Sequence, residues 1–450
     1  MITRNRINIS EKQAALIWQQ AAGTKLTSTD GQKFHVIYPG RMNGDTGPDF
    51  RDAAIANKSR LIKGDIEVHV RSSDWYRHGH DADVEYNNVI LHVVMWPDCN
   101  SATVLQSGTE IPVLCLAQAL PHQAYLLPHT LPCFSILDHI DRHALKKILD
   151  TAGEQKFRQK ATRFLADILD RAPGMSAIGQ MAGQVLLRGM MRALGYAKNT
   201  KPFEGLADRM PLTSVESQEG LAAKQALLLG TAGLLPSQRR QIGTVKEREI
   251  QELEQIWRCT GGNLKTMEES DWHLSRIYPN NSPVRRIVAQ SYLLERYTRG
   301  KLLVGILQTV ADAPPSGGHR LLQNGLTVDS TGYWRDHFDF GARSRTKISA
   351  LLGLSKAGEV AVNVILPFAF SWGELTHDAD LADHALQLYR CYPGLPENCL
   401  TRHMAKQLRL EEVSDFTSCQ QQGLIHIFRS YCREGRCSEC ALAGRRTRAE

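Results

Sequence analysis

The apolar positions change period twice along the chain. Ser10-Glu-Lys-Gln13 reads as a capping box, and the spacing through Ala14-Ala-Leu-Ile-Trp18 predicts a helix behind it. After a polar turn at 27–31 the period falls to two. Lys33-Phe-His-Val-Ile-Tyr38 predicts a strand ended by Pro39-Gly40. Gly44-Asp-Thr-Gly-Pro-Asp49 is turn chemistry leading into a second strand, Phe50–Ala56. Asn57-Lys-Ser59 predicts a hairpin turn into a third strand, Ile62–Val70. A polar connector from Arg71 to Asn87 precedes a β-branched strand, Asn88–Met95, and residues 101–117 add one or two more.

From about Ile136 the period becomes 3.6 and stays there. Ala144–Leu149, Lys160–Ile168, Ile178–Leu194, Ala222–Leu229, Lys246–Trp257, Val284–Leu307 and Ile348–Leu354 all carry helical spacing. Ala313-Pro-Pro-Ser-Gly-Gly318 is the clearest loop. The expected fold class is α+β: an N-terminal α/β domain with a mixed sheet over 1–130, a larger all-helical region over 131–415, and a Cys-rich basic segment over 416–450.

Composition changes this picture little. In a chain of 450 residues, 42% hydrophobic and 22% charged leave room for ordinary cores. No apolar run approaches the ~18 residues of a membrane span, and the N-terminus turns polar at once, so the expectation is a cytoplasmic, soluble protein with no membrane partner. Charge is uneven. Residues 1–125 hold 12 Lys+Arg against 13 Asp+Glu, whereas the remainder holds 42 against 34. A carboxylate-bearing part joined to a basic remainder suits an anionic polymer, with nucleic acid as the expected partner. The chain has no P-loop, no GxGxxG after a strand, no GxSxG elbow and no HExxH.

Chemistry concentrates on the third strand, Gly64-Asp-Ile-Glu-Val-His-Val70. Side chains alternate across a strand, so Ile66 and Val68 face one side while Asp65, Glu67 and His69 face the other. Asp49, at the mouth of the preceding strand, can approach Glu67 if the two strands pair. Two such carboxylates make a hard-oxygen site for Mg²⁺ or Mn²⁺. The next segment packs Asp74, His78, His80 and Asp81 into eight residues, and His92 follows on the next strand. The candidate catalytic residues are Asp49, Glu67, His69, Asp74, His78 and His80, with Asp49, Glu67 and His92 as metal ligands. Histidine favours Zn²⁺, Mn²⁺ or Fe²⁺ over Mg²⁺, which leaves the metal open.

This arrangement resembles the PD-(D/E)xK nuclease superfamily. The family's first acid follows a proline at the second strand, as Pro48-Asp49 does. Its second acid and its lysine lie two apart on the third strand, matching Glu67-Val68-His69, with His69 where the family has lysine. The resemblance implies a restriction-endonuclease-like fold and metal-dependent phosphodiester hydrolysis, but lysine's role does not transfer to His69 unchanged. At whole-chain level the sequence also looks like an uncharacterised bacterial family, domain of unknown function 2851. The matching stretches include Gly47-Pro-Asp-Phe50, Gly64–His69, Ser73-Asp-Trp75, Tyr86–Val94, Arg192–Tyr196, Val362–Pro367 and Gln421–Ile425. That resemblance implies no established activity.

Near the C-terminus, Cys432-x4-Cys437-x2-Cys440 has metal-ligand spacing, and thiolates select Zn²⁺ or an iron–sulfur cluster. Cys419, His426 and Cys133 are the candidates for a fourth ligand. Three functions are compatible with these residues. The leading one is a metal-dependent nuclease or nuclease-derived nucleic-acid-binding protein. The second is a Zn- or Fe-dependent hydrolase acting on a small molecule, and the third a non-catalytic module binding nucleic acid or protein.

Overall fold

The Ser10 backbone N–H donates to Gln13 Oε1 at 2.9 Å and the Gln13 N–H returns to Ser10 Oγ, closing the expected capping box. This fixes the start of α1 (Glu11–Gln19), which turns Ala14 and Trp18 inward. The buried indole donates to the Pro39 carbonyl at 2.9 Å. The computed structural model describes residues 10–57, 60–99, 102–119, 133, 141–196, 198–240, 247–260, 265–275, 277–297, 301–408, 410, 415–434 and 436–442. They fall into two compact units. The first comprises 1–148, 398–413 and 424–450, and the second 149–397 and 414–423.

In the first unit α1 covers a mixed sheet. Its strands are β1 (Lys25–Thr27), β2 (Lys33–Tyr38), β3 (Arg41–Met42), β4 (Phe50–Asn57), β5 (Arg60–Arg71), β6 (Val89–Trp96) and, after the β7–β8 hairpin (Thr103–Val104, Glu110–Ile111), β9 (Val113–Cys115). The order is β1-β2-β4-β5-β6-β9, with β3 added on β4. Pairing is antiparallel from β1 to β5 and parallel for β5–β6 and β6–β9. The expected hairpin turn at Asn57-Lys-Ser59 lies mostly outside the described residues, but Asn57 pairs with Arg60 across it. A parallel pair needs a crossover. The β5–β6 crossover contains α2 (Asp74–Arg77) and two single 3₁₀ turns, His80–Ala82 and Val84–Tyr86.

Alternation along β5 decides what each face does. Ile66 and Val68 join Phe50, Leu91, Val93 and Trp18 in the core beneath α1. Glu67 and His69 therefore project to the opposite face, where the crossover lies. Asp65 has a different task. The β4–β5 register slips between Phe50 and Ala53, a bulge that puts Asp52 in the left-handed region at φ 61°. Asp65 holds the bulge by accepting from the Asp52 N–H at 3.0 Å and from the Arg51 guanidinium at 2.9 Å.

The second unit is mostly helical, as the 3.6 period predicts. Ile178–Leu194 forms over the expected bounds and buries Val185, Leu186, Met190 and Leu194. The Val284–Leu307 stretch forms two helices, Pro283–Arg296 and Leu302–Ala311. Ile348–Leu354 is a correction. Ala350–Leu352 is a strand paired antiparallel with Val328–Asp329, and helix resumes only at Leu354. An apolar run that short does not distinguish strand from helix by spacing. This strand pair and a second one, His337–Asp339 with Ala342–Arg343, make the region mostly rather than wholly helical. The charge-rich 334–345 segment packs around the fully buried Arg285, whose guanidinium donates to the Trp334 and Ala350 carbonyls and to Ser330 Oγ. Among the described residues no helix is long and apolar enough to cross a membrane.

Candidate metal centre

The turn before β4 brings the first carboxylate to β5. Asn43 Nδ2 donates to the Thr46 and Pro48 carbonyls, and Gly47 takes φ +82°. A Cβ at Gly47 would lie 2.4 Å from Arg51 Nη2 and 2.9 Å from Glu85 Oε2, so only glycine fits the turn without displacement. Asp49 then makes a reciprocal clasp with β5. Its N–H donates to Glu67 Oε2 at 2.9 Å, while its own Oδ2 accepts from the Val68 N–H at 3.1 Å. Burial, with Glu67 beside it, pushes the Asp49 carboxyl up to about 7, against the Val68 N–H, which lowers it.

Two imidazoles close on the Glu67 carboxylate, and a third joins them through His69. His69 Nε2 lies 3.5 Å and His80 Nε2 3.4 Å from Glu67 Oε1. His78 Nδ1 lies 3.2 Å from His69 Nε2. One nitrogen from each of His69, His78 and His80 falls within 4.8 Å of the others. Zn–N bonds of ~2.1 Å place two nitrogens on one ion roughly 3.0–3.5 Å apart, a spacing that the 3.2 Å between His78 Nδ1 and His69 Nε2 meets. The buried Nε2 of His80 makes no hydrogen bond, although it lies beside the Glu67 carboxylate.

Behind this cluster stands a buried relay. His69 Nδ1 meets His92 Nε2 at 2.9 Å, and His92 Nδ1 meets Thr103 Oγ1 at 2.9 Å. Burial, reinforced by neighbouring imidazoles, pushes His69 down to about 2 and His92 down to about 3, so both rings are neutral. A neutral pair must share one proton across its contact. If His69 presents its Nε2 lone pair to the cluster, its Nδ1–H donates to His92 Nε2, and the His92 Nδ1–H donates to Thr103. Aromatic rings hold these imidazoles in place. Tyr86 stacks on His80 with centroids 3.9 Å apart, and the buried Trp75 packs against His80 and His92.

The residues named from the sequence thus take distinct positions. Glu67, His69, His78 and His80 share one site and Asp49 borders it. His92 lies behind His69 with both ring nitrogens engaged. Asp74 ties the end of β5 to α2, accepting from the Arg71 N–H at 3.1 Å and pairing with Arg77. Tyr86 and Thr103 were not anticipated. The sequence signal for Tyr86 was its place six residues before His92. Of the candidates for a fourth cysteine partner, Cys419 belongs to the second unit and contacts the Asp150 carbonyl. His426 packs edge-on against Tyr431. Cys133 and Cys432 both contact Gln407 Nε2, at 3.7 and 3.6 Å.

Fold and site together define an α+β protein whose mixed sheet presents a histidine–carboxylate cluster under a short crossover. The chain belongs to the family described as "Protein of unknown function (DUF2851)", whose model matches residues 11–396. No curated protein and no solved structure matches the chain.

Proposed function

We propose that the first unit is a metal-dependent hydrolase of phosphodiester bonds, with nucleic acid as its substrate. The observation that carries the reading is the gathering of His69, His78 and His80 within 4.8 Å of one another, with Glu67 beside His69 and His80. These four residues would hold the cation, and their nitrogen-rich set suits Zn²⁺, Mn²⁺ or Fe²⁺ better than Mg²⁺. A divalent cation there supplies Lewis acidity, activating water and neutralising charge that builds on a phosphate. Asp49 orients Glu67 through its N–H and sets a second carboxylate at the edge of the cluster. The His92–Thr103 pair holds the His69 ring in one orientation. Trp75 and Tyr86 pack against His80 on the crossover side, while His78 keeps the site open to solvent.

Support for a phosphodiester substrate comes from the order of parts. An acid follows Pro48 at the head of β4, an acid and a base lie two apart on β5, and β5 runs antiparallel to β4 and parallel to β6. The excess of 42 Lys+Arg over 34 Asp+Glu after residue 125 favours an anionic substrate. The test is cleavage of DNA and RNA by purified protein with Mn²⁺, Zn²⁺, Fe²⁺ or Mg²⁺, alongside Glu67→Ala and His80→Ala. Metal-dependent cleavage lost in both variants supports the reading, and undiminished cleavage by both overturns it.

The imidazole-rich set also favours a second reading, a Zn- or Fe-dependent hydrolase acting on a small molecule. Tightly bound Zn or Fe, with turnover of small esters or amides and no nucleic-acid cleavage, selects it.

A further inference from the structure

The first unit contains a second group of metal-ligating side chains that the hydrolase reading does not use. The wide π-helical turn Phe428–Cys432 is closed by Arg433 N–H donating to the Phe428 carbonyl at 2.8 Å, and it leaves Cys432 buried. A 3₁₀ turn at Cys437–Glu439 follows, in which the Cys440 N–H donates to the Cys437 carbonyl at 3.1 Å. The C-x2-C pair thus sits on one tight turn, a geometry that lets both sulfurs reach one centre.

Cys133, more than 290 residues earlier in the chain, joins them. Gln407, at the end of the helix Cys399–Gln407, places one amide nitrogen 3.7 Å from Cys133 Sγ and 3.6 Å from Cys432 Sγ. Cys432 is close enough to Cys133, Cys437 and Cys440 to act on all three electrostatically, as Cys133 is to Cys437 and Cys440. Cys133, Cys432 and Cys440 are buried. The four thiols lie within electrostatic reach of one another but wider apart than the 4.8 Å grouping that the histidines show, so they close on a metal or frame a cluster only on binding it, and the amide donor beside two of the sulfurs is outer support.

We propose that Cys133, Cys432, Cys437 and Cys440 form a structural metal centre that takes Zn²⁺ or an iron–sulfur cluster. For Zn²⁺, binding displaces the four thiol protons and leaves four thiolates on the ion. The centre fastens the C-terminal segment to the sheet. Between its second and third ligands, Glu434 pairs with Lys63 of β5 at 2.5 Å and Arg433 with Asp52 of the β4 bulge at 3.3 Å. This proposal is independent of the hydrolase reading.

The test uses the full chain purified without oxygen, assayed for zinc, iron and acid-labile sulfide. One zinc per chain, or iron with matching sulfide and visible charge-transfer absorption, is expected beyond any metal at the histidines. His80→Ala should retain this metal and so separates the two sites. Cys133→Ser and Cys437→Ser should each lose most of it, while Cys419→Ser and Cys259→Ser keep it. Should the serine variants fail to fold, the wild type decides: a chelator should release the metal and expose four further thiols to alkylation. Wild type with neither zinc nor iron here, or full metal content in Cys133→Ser, overturns the proposal.

Discussion

His69 and His92 face each other across adjacent parallel strands with ring nitrogens 2.9 Å apart, a buried contact in which one imidazole must be donor and the other acceptor. Since Thr103 supports the far side of His92, the orientation of His69 is set two residues away from any ligand. His92→Phe keeps the ring's bulk and removes the acceptor. Metal affinity at the histidine cluster should fall about 10–100-fold, the usual effect of losing such outer support. His92→Gln, which retains an acceptor, should recover part of it. Equilibrium metal titration of the three proteins checks this, and equal affinities would show that His69 needs no partner.

Glu67→Gln preserves an acceptor for the Asp49 N–H and removes only charge. Asp49→Asn likewise preserves the bond from the Val68 N–H. Both variants should fold, with melting temperatures within a few degrees of wild type. Glu67→Gln should lose bound metal and all metal-dependent turnover. Asp49→Asn should retain metal and lose most turnover. Metal content and rates measured on the same preparations separate the two roles.

The same carboxylate gives a pH signature in metal-free protein. Asp49 has a raised folded pKa, about 7 against 3.8, so the fold binds its proton more tightly than the unfolded chain does. Its contribution is therefore present at low pH and is lost as pH rises from about 4 to 7. His69 and His92 run the other way. Their folded pKa values lie below 6.5, so their contribution is full above 6.5 and is lost as pH falls. Subtracting wild type from Asp49→Asn isolates the first effect: the variant should gain relative stability between pH 4 and 8, by a few °C of melting temperature. A difference that is flat with pH would place Asp49 in water.

Gly47→Ala strains a left-handed turn and drives a methyl group into Arg51 and Glu85. Destabilisation of at least ~1 kcal/mol is expected, with weaker metal binding because Asp49 shifts. Gly44→Ala, where a Cβ meets open space, is the control and should be close to neutral. Chemical denaturation of both variants reads the contrast.

Much of the first unit was legible because its signals are local. The Ser10 capping box, β2 from Lys33 to Tyr38, and the alternation that turns Glu67 and His69 away from the core all follow from neighbouring residues. The cluster of His69, His78 and His80 was visible because twelve residues contain all three. What lay beyond reading depends on register and distant pairing. Asp65 shares a face with Glu67 by alternation, yet the bulge at Asp52 engages its carboxylate. Thr103 reaches His92 only because β7 follows a segment of unforeseeable path. Cys133 could be named only as one of three candidates for a fourth ligand, since a partner 299 residues before Cys432 leaves no spacing signal to prefer it. Ile348–Leu354 was misread because helix and strand spacing coincide over so few apolar positions.

The first unit is assembled from segments far apart in the chain, and this sets an order of events during synthesis. Lys63 meets Glu434, 371 residues later. Tyr38 on β2 packs against His403 and Phe428, its ring 5.1 and 4.9 Å from theirs. At ~5–20 residues per second, β2 and β5 leave the ribosome roughly 20–75 s before the segment that covers Tyr38 and pairs with Lys63. Throughout that interval the nascent sheet carries an uncovered aromatic side chain. That side chain is covered, and the sheet completed, only once residues 403 to 434 have been made.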